Sequence, residues 1–167
     1  LLADPALALP GIPGYLPDLA RMELALSRAG EEKTALPAEV ERRTVNPSLQ
    51  VLESSWSGLP PLLGAHGMNA GQEPVPRQEV ILIWLDPETG EGRAQTAVPE
   101  DLLALKLVSE GIEPRQAAAL GKLPVGAILE TLDRAADKGI LLAPASLIRR
   151  EAGSFPLTES VEPRFLA

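Results

Sequence analysis

The spacing of apolar residues changes several times along the chain, and each change marks an element. From Tyr15 onward, Leu19, Met22 and Leu26 recur at helical spacing with Ala25 and Ala29 beside them. Pro17 and Asp18 suit the first turn, and Gly30 stops the run. This pattern predicts an amphipathic helix. Residues 45–53, "VNPSLQVLE", favour a strand after Pro47, and the Pro- and Gly-broken sequence that follows predicts a long loop at 57–76. "EVILIWL", residues 79–85, is continuously apolar with β-branched and aromatic members, the mark of a strand buried on both faces. "DPETGEG" then turns the chain, and "RAQTAV" returns as the second strand of a hairpin.

Beyond Pro99 the periodicity becomes helical in three short units, "PEDLLALKLVSEG", "EPRQAAALG" and "PVGAILETLDRAADKG". Each has proline at its first turn and glycine at its end, the residues that start and stop helices. In the third, Ile128, Leu132, Ala135 and Ala136 form a core-facing stripe. Ile140–Leu142 reads as a strand, "APAS" as a turn and "LIRRE" as its partner. Helix, helix, helix, hairpin is the order of a winged helix-turn-helix.

The expected fold is therefore α+β: a small mixed domain with an amphipathic N-terminal helix, a short β-hairpin and a C-terminal winged helix-turn-helix-like unit. Residues 1–14, rich in proline and glycine, read as a linker or arm. Residues 15–98 hold the helix and hairpin with the long loop, 99–152 the winged-helix-like region, and 153–167 a tail without periodicity.

Composition sharpens this outline. An apolar content of 45% over 167 residues supports a buried core, and 3% aromatics means that Leu, Val, Ile and Ala must build it. Trp84, inside the apolar strand, is expected in the core, whereas Trp56, beside serines and ahead of the loop, is expected as an exposed anchor for a partner. The absence of cysteine removes disulfides and thiolate sites, and no segment has the length of a membrane span. A soluble, cytoplasmic protein is expected.

The net charge of -8 opposes general affinity for nucleic acid, which requires a basic surface. The third helix would be the DNA-reading helix of a winged unit, yet it carries Glu130, Asp133 and Asp137 against Arg134 and Lys138. The adjacent pairs Arg42–Arg43 and Arg149–Arg150 read as solvated surface.

No motif points to catalysis. His66 is the single histidine and lies in a glycine-rich loop, without the fixed partner that a general base needs. Neither metal-ligand spacing nor a phosphate-binding glycine pattern occurs, so no catalytic residue, metal or cofactor is expected. Glu100 and Asp101 are explained as dipole partners in the first turn of a helix.

Three stretches in order, "YLPDLARMELAL", "NPSLQVLESSW" and "EVILIWLDPETGEGRAQTAVPEDLLALKLVSEGIEPRQAAAL", resemble the second half of the HvfC-type proteins, a DNA-binding family by name. Relatives include the partner protein of methanobactin biosynthesis. The family's additional N-terminal helical domain has no counterpart here, and with a first residue other than Met this predicts a fragment or a processed chain. Where the family pattern reads Leu-Glu-Trp, this chain has Met22-Glu23-Leu24.

The resemblance implies a non-catalytic subunit that presents a ribosomally made precursor peptide to a metal-dependent modifying enzyme. An edge strand and the neighbouring helix would suffice for that task. The expected partner surface comprises Ile140, Leu142, Leu147, Arg149 and Arg150 of the wing, with the 124–138 helix alongside and Trp56 as an anchor. A protein- or peptide-binding accessory module is thus the first expectation, a winged-helix transcriptional regulator that binds DNA the alternative, and an enzyme built around His66 the third.

Overall fold

β-Branched and aromatic side chains hold residues 79–85 extended, and the strand they nucleate is the centre of the fold. In the computed structural model, which describes residues 12–31, 36–37, 39–63 and 73–144, this strand runs further than its apolar part, over Val75–Leu85. The element order is α1 (Leu16–Glu31), β1 (Thr44–Val45), β2 (Gln50–Ser57), a 3-10 turn at Pro60–Leu62, β3 (Val75–Leu85), β4 (Gly92–Thr96), α2 (Pro99–Ser109), α3 (Pro114–Gly121), α4 (Val125–Asp137) and β5 (Leu141–Leu142). The fold is mixed α+β. Among the described residues no helix is long and apolar enough to cross a membrane.

β3 lies between β2 and β4 in an antiparallel sheet, with Leu52 opposite Ile81 on one side and Ala94 opposite Ile83 on the other. Alternate β3 side chains enter different cores, as a strand's two-residue period requires. Ile81 and Ile83 pack with Met22 and Ala25 of α1, while Leu82 and Trp84 pack with Ile140 beneath the opposite face. Burial on both faces, expected from the continuous apolar run, is what the sheet has.

A further core joins Ala104 and Leu107 of α2, Ala117 and Ala118 of α3, Ile128, Leu132 and Ala135 of α4, and Leu141 of β5. The expected α4 stripe is buried here, with Ala136 partly buried at its edge. α1 continues one residue past Gly30. Its Asp18 does more than complement the dipole: Oδ2 accepts the Ser55 N–H at 2.8 Å and the Ser54 hydroxyl at 3.0 Å, tying the helix to β2.

The turn between β3 and β4 is organised by Asp86. Its Oδ1 accepts the Glu88 and Thr89 N–H groups at 3.0 and 3.1 Å, and Oδ2 accepts Arg93 Nη2 at 3.1 Å. The Thr89 N–H, helped by that of Glu88 and by Arg93, holds this carboxyl below its ordinary range against a smaller opposing effect of burial.

The strand expected after Pro47 is β2, and a short strand not expected, β1, precedes it across a turn at Asn46–Leu49 whose Asn46 and Ser48 side chains are buried. Asn46 Nδ2 donates to the carbonyls of Leu85 (2.9 Å) and Gly139 (2.7 Å), while Oδ1 accepts the Ser48 N–H and hydroxyl at 3.0 and 2.7 Å. Ser48 Oγ in turn accepts the Leu85 N–H at 2.9 Å. Both side chains are buried, so each hydrogen bond replaces one that water would otherwise supply. The network joins the end of β3 to the chain leaving α4.

Of the expected wing, the described residues hold one strand, β5. β5 pairs antiparallel with β1, Thr44 opposite Leu142 and Val45 opposite Leu141. The three helices and this strand follow in the expected order, but the strand's described partner comes from a segment almost a hundred residues earlier, as only long-range pairing can arrange. Residues 145–150, expected as the second wing strand, lie outside the described residues.

Candidate functional site

The expected surface residues divide sharply by burial. Ile140 is 0% exposed against Leu82 and Trp84, and Leu142 is 8% exposed in β5. Their apolar side chains belong to the core, so the wing as an exposed partner surface is corrected for these two positions. Trp56, expected as a free anchor, is partly buried: its ring meets Tyr15 edge-on, centroids 6.0 Å apart at 72°, within the α1–sheet core. Leu147, Arg149 and Arg150 lie outside the described residues, as does His66.

Several charges singled out in the sequence are engaged within the fold. Arg43 pairs with Asp133, and Arg134 with Glu130 at 3.3 Å, so two of the three acids that disfavour DNA on α4 already face a cation. Asp101 is buried and accepts Lys138 Nζ at 2.7 Å and Gln95 Nε2 at 2.7 Å. The dipole explains its position but not this pairing.

Arg43 lines a cleft with Arg42, Val45, Leu107, Ile112 and Leu132. Its rim also carries Glu41, Glu110 and Glu113, which offset the arginines. Among the described residues no three His, Cys, Asp or Glu side chains gather as a metal site.

The surface that stands out joins the first turns of the 124–138 helix, expected beside the partner surface, to the α3–α4 turn, which was not expected there. α3 ends at Gly121, Lys122 takes a left-handed conformation (φ 52°, ψ 39°), and the Leu123 N–H returns to the Ala118 carbonyl at 3.0 Å. This conformation costs a non-glycine residue about 1–2 kcal/mol, yet glycine sits one position earlier. The sharp turn leaves every residue from Ala119 to Gly126 exposed. Leu120 is 74% exposed, Leu123 48%, and Val125 and Leu129 38% each.

Single exposed leucines are ordinary, but neighbouring ones on rigid elements mark contact surfaces. α4 is held from beneath by Ile128, Leu132 and Ala135, and α3 by Ala117 and Ala118, so the exposed residues ride on packed helices. The sequence did contain a signal: Val125 and Leu129 are one helical turn apart, off the buried stripe, and "LGKLPVG" is apolar where a surface turn is ordinarily polar.

Charge follows the same boundary. From Pro114 to Leu129 there is no acid, while Arg115 and Lys122 are both exposed, in a chain that carries 23 acids. No protein-family model matches this chain, and no curated protein matches it either.

Proposed function

We propose that this chain is a non-catalytic, cytoplasmic module that binds a protein or peptide through the α3–α4 turn. The observation that carries the reading is the run of exposed apolar side chains Leu120, Leu123, Val125 and Leu129, mounted on two helices whose opposite faces are core. Desolvating such side chains stabilises a complex, with full burial of each worth about 1.5–3 kcal/mol before the cost of association. The HvfC-type resemblance supplies the biological setting: an accessory subunit presenting a precursor peptide to a metal-dependent modifying enzyme. DNA reading by the same helix is disfavoured, because its exposed first turns offer Val125, Gly126 and Leu129 rather than groups that hydrogen-bond base edges.

The test is affinity isolation of the tagged chain from its native cells beside a Leu120→Asp/Leu123→Asp variant. A partner protein or peptide recovered with the parent chain, and reduced at least about tenfold with the variant, supports the proposal. Equal recovery by both chains overturns the assignment to this surface. Duplex DNA bound more tightly than any recovered polypeptide overturns the function.

A further inference from the structure

We infer that the Arg115–Leu129 surface receives an acidic amphipathic segment of a partner protein, whose apolar side chains seat on Leu120, Leu123, Val125 and Leu129 and whose carboxylates meet Arg115 and Lys122. The inference rests on the docking reading of the same surface and adds the chemistry of the occupant.

Charge complementarity carries it. The chain as a whole is at -8, so an acidic partner is repelled by most of its surface and attracted where acids are missing. Among the described helices such a stretch spans α3 and the start of α4, bounded by Glu113 before it and Glu130 behind it and carrying Arg115 and Lys122. Glu130 is already beside Arg134, which lessens its opposition. Among the described residues neither Arg115 nor Lys122 forms an ion pair, whereas Arg21, Arg43, Arg77, Arg93, Lys106, Arg134 and Lys138 all do. Four described cations take no part in an ion pair, Arg28, Arg42, Arg115 and Lys122, and the last two lie in the same acid-free stretch as the exposed leucines.

The local backbone adds to the same potential. Lys122 stands three residues before α4, whose first turn has no side-chain cap and contributes partial positive charge. Among the described residues no heavy atom lies within 4 Å of where a Cβ on Gly126 in that turn would stand. A purely apolar partner leaves Arg115 and Lys122 desolvated without compensation. A carboxylate on the partner offsets part of that cost by pairing with them at the rim of the contact.

The experiment is selection of a displayed random-peptide library on the intact chain, followed by synthesis of the enriched peptides and fluorescence anisotropy. Enriched sequences should combine Asp or Glu with Leu, Ile or Phe. Binding should weaken about tenfold in Leu123→Asp and in Arg115→Glu/Lys122→Glu, and several-fold when the peptide's acids become amides. Both variants change exposed residues, and thermal melts by circular dichroism verify that they fold.

Enriched peptides that need Leu123 but carry no acids and ignore the charge reversal overturn this inference while leaving the docking surface in place. If no peptide depends on Leu123, both readings fail. Random-sequence duplex DNA or phosphatidylserine vesicles that bind the parent chain more tightly than the best peptide, and lose binding in the charge-reversal variant, also overturn it.

Discussion

Lys138 Nζ donates to Asp101 Oδ1 at 2.7 Å, joining the C-cap of α4 to the first turn of α2, with the aspartate side chain 3% exposed and the lysine 37%. The pair is asymmetric: the lysine reaches water, whereas the aspartate is enclosed with Gln95 as its other side-chain partner. Lys138→Met strands a buried charge and should destabilise the fold by about 3 kcal/mol. Asp101→Asn frees a lysine that can swing outward and should cost less, about 1–2 kcal/mol. Urea unfolding midpoints measure both, and the reverse order would show that the lysine is the constrained partner.

Asn46 holds the carbonyls of Leu85 and Gly139 through one amide group. Asn46→Ala leaves both acceptors and the Ser48 donors buried without a partner and should cost about 3 kcal/mol, while Ser48→Ala should cost about 1–2 kcal/mol. Asn46→Asp is expected to be at least as damaging as alanine, because it turns carboxyl oxygens toward the two carbonyls that the amide N–H groups now satisfy. A smaller loss for Asp than for Ala in denaturant titrations would contradict the donor role.

Gly139 and Gly111 separate backbone strain from crowding. Both have positive φ, 77° and 65°, but a Cβ on Gly139 would come within 2.5 Å of Pro87 Cδ and 3.3 Å of Trp84 Nε1, whereas one on Gly111 meets nothing within 4 Å. Gly111→Ala should cost about 1 kcal/mol and Gly139→Ala about 3 kcal/mol. Thermal denaturation compares them, and equal losses would place the whole effect in the left-handed backbone.

The Asp86 carboxyl is held below its ordinary value near 3.8 chiefly by the Thr89 N–H. A carboxyl depressed on folding contributes stability above its unfolded pKa, and loses that contribution as pH falls through its folded pKa. The stability difference between the parent chain and Asp86→Asn should be constant above about pH 5, narrow below about pH 4 and disappear at still lower pH. Urea titrations across that range report it. A difference that widens on acidification would reverse the assigned direction.

Core and surface trade places between the wing and the turn. Ile140→Ala should destabilise by about 3 kcal/mol, since the side chain is fully enclosed, whereas Leu123→Asp should change stability by less than about 0.5 kcal/mol. Chemical denaturation of the two variants decides between this arrangement and an exposed wing.

Much of the fold was legible locally. Three helices begin beside Pro99, Pro114 and Pro124, and the hairpin turn forms around Asp86 where "DPETGEG" announced it. These features depend on residues within a turn or two of one another. Less of the candidate site was legible: Leu142 and Leu123 have the same side chain and similar settings beside a turn, and one is core while the other is exposed.

What the sequence determined by itself was element type, the two-sided burial of β3 and the uneven distribution of charge, because periodicity, turn chemistry and residue identity are local properties. Tertiary structure alone decided that β5 pairs with β1, that Asn46 bridges β3 to the end of α4, and that Asp101 meets Lys138. It also chose which leucines remained outside. Burial and polar pairing depend on neighbours that are distant in the chain, and those neighbours exist only once the layers have come together.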